Sequence, residues 1–336
     1  MNKCALASVP LLLLFAACAS TPDVTLGYFH AKAVADVSVT RTFVCNKKKH
    51  VIEVITAEVQ PRYVADTWHP LSIKTLDGSM ADTSLTLGYY ADGRLKTVNA
   101  EATGQGGEIL KAVASAAGSL FSIHGIDGGG AAPHPVACNV IDQLGDKKPV
   151  AIVYKMQGLP LGDGTANIPV APGSEASQTK LNSFVGSVCA SVTSKKPAAN
   201  TWPKIAEGDP SPKLELRQPG SADVVIHRNG CNGPALPAQT IVAPQHGQTF
   251  YLPIPRARAF GKQVFALELA ESGVITKVQY AKDTGATQGL SVVNAVLPEF
   301  QGNTAAEKAK ASNDRADEIA ANARLAKCLA DPTNCK

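Results

Sequence analysis

The sequence predicts an α+β fold rich in strand: two related antiparallel β units with short helices, followed by a C-terminal α-helix. Three observations carry that expectation. Apolar and polar residues alternate between residues 34 and 98, and again between 263 and 278, with the period of two that marks half-buried strands. The second set repeats the first at a fixed spacing. After residue 300 the composition turns to Ala, Glu, Lys and Arg, which favour helix.

Residues 1–17 read as a targeting segment. Lys3 gives a positive start, and Cys4 to Ala17 is apolar. A run this short is a secretory signal rather than a membrane span. Phe15-Ala16-Ala17-Cys18, with Phe15 where leucine is usual, resembles the lipobox of bacterial lipoproteins, in which the cysteine becomes the acylated first residue. The resemblance covers only the signal. It implies lipidation of Cys18 and, with Ala19 next in the chain, sorting to an outer membrane, where the protein would face the periplasm. Each buried CH₂ of an acyl chain contributes about 0.8 kcal/mol, so several chains anchor almost permanently. Ordinary cleavage that leaves Cys18 as a free thiol is the alternative. Residues 18–23 form the anchor and a short tether. Ala19 to Asp23 reaches only about 17 Å when fully extended, which keeps the body close to the bilayer.

The first β-rich unit covers residues 24–150. In its opening hairpin Val37, Val39, Phe43 and Cys45 alternate with Ser38, Thr40 and Thr42, and "CNKKKH" turns the chain into "VIEVITAEV". A second hairpin follows: Leu85, Leu87 and Tyr89 face one way, Asp92-Gly93 turns, and Leu95 and Val98 return. Asp-Gly between alternating apolar runs is among the strongest hairpin signals. Residues 151–221 read as a connecting region, with "KPVAIVYKM" as a strand at its start and five prolines between 194 and 221 marking a linker. The second unit covers 222–300. There Phe265, Leu267, Leu269, Ser272-Gly273, Ile275 and Val278 repeat the second hairpin at a spacing of 180 residues. "DVSVTRTFVCN" and "ADVVIHRNGCN" correspond upstream, Cys45 standing against Cys231. We read this as an internal duplication. Residues 301–336 hold the terminal helix and tail: Thr304 and Glu307 make a capping box, and Asp331-Pro332 ends the helix.

Specific chemistry is sparse. Gly104, Gly106 and Gly107 precede a helical pattern in the order that phosphate-binding loops use, but no Gly-Lys-Ser/Thr follows and Glu108 would repel an anion. The loop reads as a turn into the segment carrying Ile109, Val113, Ala116 and Leu120. His124, Asp127 and His134 lie in a glycine-rich loop without spacing to fix them around a metal. Trp68-His69 and Trp202 are candidates to line a ligand groove; the simpler alternative for each is ordinary packing. No nucleophile elbow, HExxH or carboxylate pair is present. The sequence thus assigns no catalytic, cofactor-binding or metal residues and no cofactor.

Net charge is +4, with one basic run, Lys47-Lys48-Lys49, at a hairpin tip. Nucleic-acid binders concentrate basic charge on a face, so that class is set aside. Beyond Cys4 and Cys18, six cysteines remain: Cys45, Cys138, Cys189, Cys231, Cys328 and Cys335. An even number in an exported chain reads as a disulfide set, with Cys328 and Cys335 close enough to pair around the Asp331-Pro332 bend. The functional expectation is a membrane-anchored envelope lipoprotein acting as a non-enzymatic binding or structural module. Its partners would be the membrane, through the anchor, and an envelope protein or cell-wall component. The alternative is a periplasmic hydrolase with a site assembled from dispersed residues.

Overall fold

The computed structural model describes residues 24–72, 82–103, 123–125, 133–197, 212–255, 262–283 and 288–293, with 320, 323–325 and 328 near the C-terminus. The signal and anchor, the glycine loop with the segment after it, Asp127, Trp202 and Cys335 lie outside the described residues. In chain order the first strands are β1 (Thr25–Cys45), β2 (Val51–Ser72), β3 (Asp82–Tyr89), β4 (Leu95–Thr103) and β5 (Ile123–Gly125), followed by helix α1 (Pro135–Gly145). Next come β6 (Val150–Pro160), β7 (Gly164–Ile168), helix α2 (Glu175–Leu181), β8 (Val188–Lys195), β9 (Lys213–Arg217), β10 (Ser221–Arg228) and β11 (Gln239–Val242). The last are β12 (Thr249–Pro253), β13 (Lys262–Leu269), β14 (Ile275–Asp283) and β15 (Gln288–Val293). Every pairing between these strands is antiparallel, so the chain is β-rich with few helices, as its alternation predicts.

The β1–β2 hairpin is the spine. Its strands run 21 and 22 residues, about 70 Å at 3.4 Å per residue, long enough to serve two cores. Asn46 opens its turn by accepting from the amides of Lys48 and His50, both at 2.9 Å. The half nearest this turn lies in a sheet ordered β5-β2-β1-β6, which packs on a second sheet ordered β11-β10-β8-β7. Val37, Val39, Ile55 and Ile152 meet Val192, Val224 and Ile226 between them, with Ile141 of α1 and Leu181 of α2 closing the side. The other half of the spine reaches a second core. There Tyr28 and Leu71 meet Leu214 and Leu216 of β9, Phe250 and Leu252 of β12, and Val98 and Phe265 of a five-stranded sheet. That sheet runs β15-β14-β13-β4-β3.

Ser38, Thr40 and Thr42, which alternation places facing solvent, are buried. A second layer explains it: Val44, on their face of β1, clusters with Ile52, Val54 and Leu325, the last in a helical stretch near the C-terminus. On the inward face Arg41 is 1% exposed. Its Nε donates to Glu53 at 2.5 Å, Nη1 to the Gly186 carbonyl at 2.7 Å and Nη2 to Asn229 at 3.1 Å, so the buried cation is hydrogen-bonded through all three nitrogens.

The two hairpins with matching sequences lie side by side, β4 pairing with β13 through Ala100–Phe265 and Val98–Leu267. Their turns are alike. Gly93 donates to the Tyr90 carbonyl at 3.0 Å and Gly273 to the Ala270 carbonyl at 2.8 Å, and both glycines are left-handed, at φ +83° and +76°. Each is therefore a three-residue loop closed by a glycine, with a register shift at Gly88/Tyr89 and at Glu268/Leu269. Tyr89 departs from its expected inward place and is 40% exposed, whereas Leu269 is 6% exposed. The reason is position: β3 is an edge strand and β13 is central. Residues 151–221, expected to connect the units, supply β7 and β8 to the sheet that holds β10, and β9 to a pair with β12.

Two disulfides close the body. Cys45–Cys138 ties the end of β1 to α1, and Cys189–Cys231 ties β8 to the turn after β10, with Cα separations of 5.6 and 5.0 Å. Cys328 is also disulfide-bonded. No helix among the described residues is long and apolar enough to cross a membrane.

Candidate functional site

Where the spine meets β9, three strands bring together His30, His69 and Glu215. Local sequence explains the placement. Tyr28 pairs with His69 across the β1–β2 hairpin, and residues directly opposite share a face. His30, two residues on from Tyr28 in β1, faces the same way by alternation. The rings of His30 and His69 stack at a centroid distance of 3.7 Å and an angle of 25°. On β9, Leu214 and Leu216 are buried in the second core, so alternation turns Glu215 towards the histidines. Each residue offers one ligating atom, and those three atoms all lie within 4.8 Å of one another.

The Glu215 backbone fixes the arrangement. Its carbonyl accepts from the Tyr28 hydroxyl at 2.8 Å and lies 3.0 Å from His30 Nε2. A carbonyl only accepts, so Nε2 is the nitrogen that carries the proton and Nδ1 is left as a bare lone pair. Nδ1 is buried and has no hydrogen-bond partner among the described residues. Burial pushes the His30 pKa down to about 4, so the ring is neutral near pH 7. On His69, Nδ1 lies 3.4 Å from the Glu215 carboxylate, and Nε2 is buried with no hydrogen-bond partner among the described residues. Desolvation also raises the Tyr28 pKa, which keeps the phenol a donor. The Glu215 carboxylate raises that of Tyr251, which pairs with Glu215 across β9 and β12. Arg217 is taken by Asp66 at 2.5 Å and by Thr67 at 2.7 Å.

His30 and Tyr28 also line a cavity of about 20 Å³, bounded by Arg94, Leu216, Glu271 and Gly273. That volume holds about one water molecule. Chemically the site is two imidazoles and one carboxylate, with room for one small molecule on the His30 side.

The residues singled out in the sequence fare differently. His69 is in the cluster. Trp68 points to the opposite face, where it is 50% exposed; its indole covers Gly27, and a methyl group there would fall 1.9 Å from Nε1. His134 caps α1, its Nδ1 accepting from Ala137 at 3.4 Å, with its ring edge-on to Phe184. His124 is in β5, and Asp127 and Trp202 lie outside the described residues. His30 and Glu215 were missed. The one local signal was a histidine in an otherwise apolar alternating strand; nothing local ties it to a glutamate so far along the chain.

No family model, curated protein or solved structure matches this chain.

Proposed function

We propose that this protein is a membrane-anchored envelope lipoprotein acting as a non-enzymatic binding or structural module, held through Cys18 and facing the periplasm from the outer membrane. Its β-rich body would present a rigid surface to an envelope protein or cell-wall partner. The observation that carries the binding role is Trp68: a large aromatic side chain is seated at the surface over Gly27 and left half exposed. Exposed tryptophan on a rigid strand is the residue type that dominates recognition surfaces. Two body disulfides suit an oxidising, exported setting. The lipobox-like Phe15-Ala16-Ala17-Cys18 supports the anchor.

The body is further read as a duplication. Support comes from the matched hairpin turns at Gly93 and Gly273 and from the upstream strands. β1 ends in a disulfide-bonded cysteine and β10 is followed by one, and each pairs with the next strand along the chain, β2 or β11.

The test is crosslinking in the native envelope with a photoreactive group beside Trp68, followed by mass spectrometry. A discrete partner that disappears in Trp68→Ala is the expected result; the same crosslinks in the variant refute the Trp68 surface. Separately, Cys18→Ser is expected to leave the membrane fraction or remain uncleaved, and a variant that fractionates and migrates like wild type refutes the anchor. The second reading, a periplasmic hydrolase, is favoured by the convergence of His30, His69 and Glu215.

A further inference from the structure

We infer that His30, His69 and Glu215 form a binding site for a divalent transition-metal ion, of which zinc is the best-suited representative. The inference is independent of both functional readings above. Its donor set is two imidazoles and one carboxylate, a combination that suits zinc and its neighbours and does not suit the hard, oxygen-seeking Mg²⁺ or Ca²⁺.

Three features of the geometry point to an ion rather than to simple packing. First, the three donors come from three strands, with ligating atoms within 4.8 Å of one another, so one small object can reach all of them. Second, His30 is 5% exposed and its Nδ1 has no partner among the described residues, although burying an unsatisfied polar atom costs about 1–3 kcal/mol. His69 Nε2 carries the same debit. An ion that accepts a lone pair from each ring removes both costs, which an apolar neighbour cannot do. Third, His30 already has the outer support that metal-bound histidines use. Its Nε2–H donates to the Glu215 carbonyl at 3.0 Å, which fixes the tautomer and leaves the other nitrogen free to ligate. Tyr28 braces the same carbonyl.

The stacked rings hold their nitrogens side by side rather than aimed at one point. Capture of the ion therefore turns the His69 ring about its side-chain torsions. That side chain is 15% exposed and, among the described residues, its polar contact is with Glu215, itself a proposed ligand. Two neutral imidazoles and one carboxylate leave a bound dication with a net charge of +1. Three protein ligands also leave a fourth position for water, and the small cavity lined by His30 has room for about one.

The experiment uses the folded mature chain, stripped with a chelator and dialysed, then titrated with Zn²⁺ and, in parallel, with Co²⁺. Expected are about one equivalent of zinc retained per chain, a rise in thermal midpoint that grows with free zinc, and a visible absorption band for the cobalt form. His69→Phe keeps the stacked aromatic and removes a donor; it is expected to abolish retention. Glu215→Gln, which preserves shape and backbone, is expected to weaken binding at least about tenfold, the lower end of what losing an outer-shell partner alone costs a metal site. His134→Asn, at the cap of α1, is expected to change nothing. Should His69→Phe fail to fold by circular dichroism, Glu215→Gln alone decides. No retained zinc in the wild-type chain, or affinity unchanged in Glu215→Gln, overturns the inference.

Discussion

Arg41 is the residue where sequence and burial conflict most. It stands among Val37, Val39 and Phe43 on a face that otherwise holds only core, and its side chain is 2% exposed against 15% for its partner Glu53. A cation so placed needs its carboxylate more than the carboxylate needs it, because Glu53 also has Arg228 at 3.3 Å. Breaking a buried pair by removing one partner costs about 3–5 kcal/mol, chiefly through the charge left behind. Glu53→Gln is therefore expected to cost about that much in urea unfolding, whereas Arg41→Met, which removes the cation and keeps a long apolar stem, is expected to cost less than half of it. The reverse order would show that Arg41 is not the group that depends on the pair.

Among the elements, the paired hairpins of the five-stranded sheet show why glycine recurs at the same place. In both turns the third loop residue is left-handed, and both turns dock on the spine. A methyl group at Gly93 would lie 3.1 Å from the Phe29 ring, and one at Gly273 would lie 3.1 Å from the Ala31 side chain. The left-handed conformation costs a residue with a Cβ about 1–2 kcal/mol, and the tight contact adds to it. Gly93→Ala and Gly273→Ala are each expected to lose about 1–2 kcal/mol or slightly more. Gly162→Ala is the control: nothing lies within 4 Å of its added methyl, so its midpoint in denaturant is expected to stay within error of wild type. β2 shows a second device. Pro61 and Pro70 lie in this long strand beyond the Val54–Thr56 stretch that pairs with β5, and a proline there has no amide to offer a further strand.

For the molecule as a whole, one disulfide joins β1 to α1, which strand pairing leaves separate, and the other reinforces the existing pairing of β8 with β10. Cys45–Cys138 spans 93 residues and Cys189–Cys231 spans 42. By loop-closure entropy each constrains the unfolded chain by about 4–5 kcal/mol, a large share of the 5–15 kcal/mol that stabilises a typical domain. Replacing Cys45 and Cys138 together with Ser and Ala is expected to lower unfolding stability by about that amount. A loss below about 1 kcal/mol would refute the entropic account. In the tail, Cys328 is bonded while the four body cysteines are committed to one another, so a link between Cys328 and the body is excluded. Non-reducing peptide mapping is expected to join Cys328 to Cys335, and any other partner refutes that pairing.

How much of this was legible in the sequence follows from the range of the interactions. The β-rich class, both hairpins, the positions of their turns and the even set of body cysteines were written locally. Alternation, Asp92-Gly93 and Ser272-Gly273 act over a few residues, and the backbone has few other ways to satisfy them. Tertiary structure decided the rest. Only packing shows that Thr40 and Thr42 face a second layer and that β4 finds β13. Only packing, too, places Glu215 beside His30 although 185 residues separate them. The candidate metal site belongs to this second kind. Its histidines are specified by the alternation and cross-strand register of one hairpin and its carboxylate by the alternation of a five-residue strand. Neither pattern encodes the other, because the contact between them exists only once the two cores have closed on the spine.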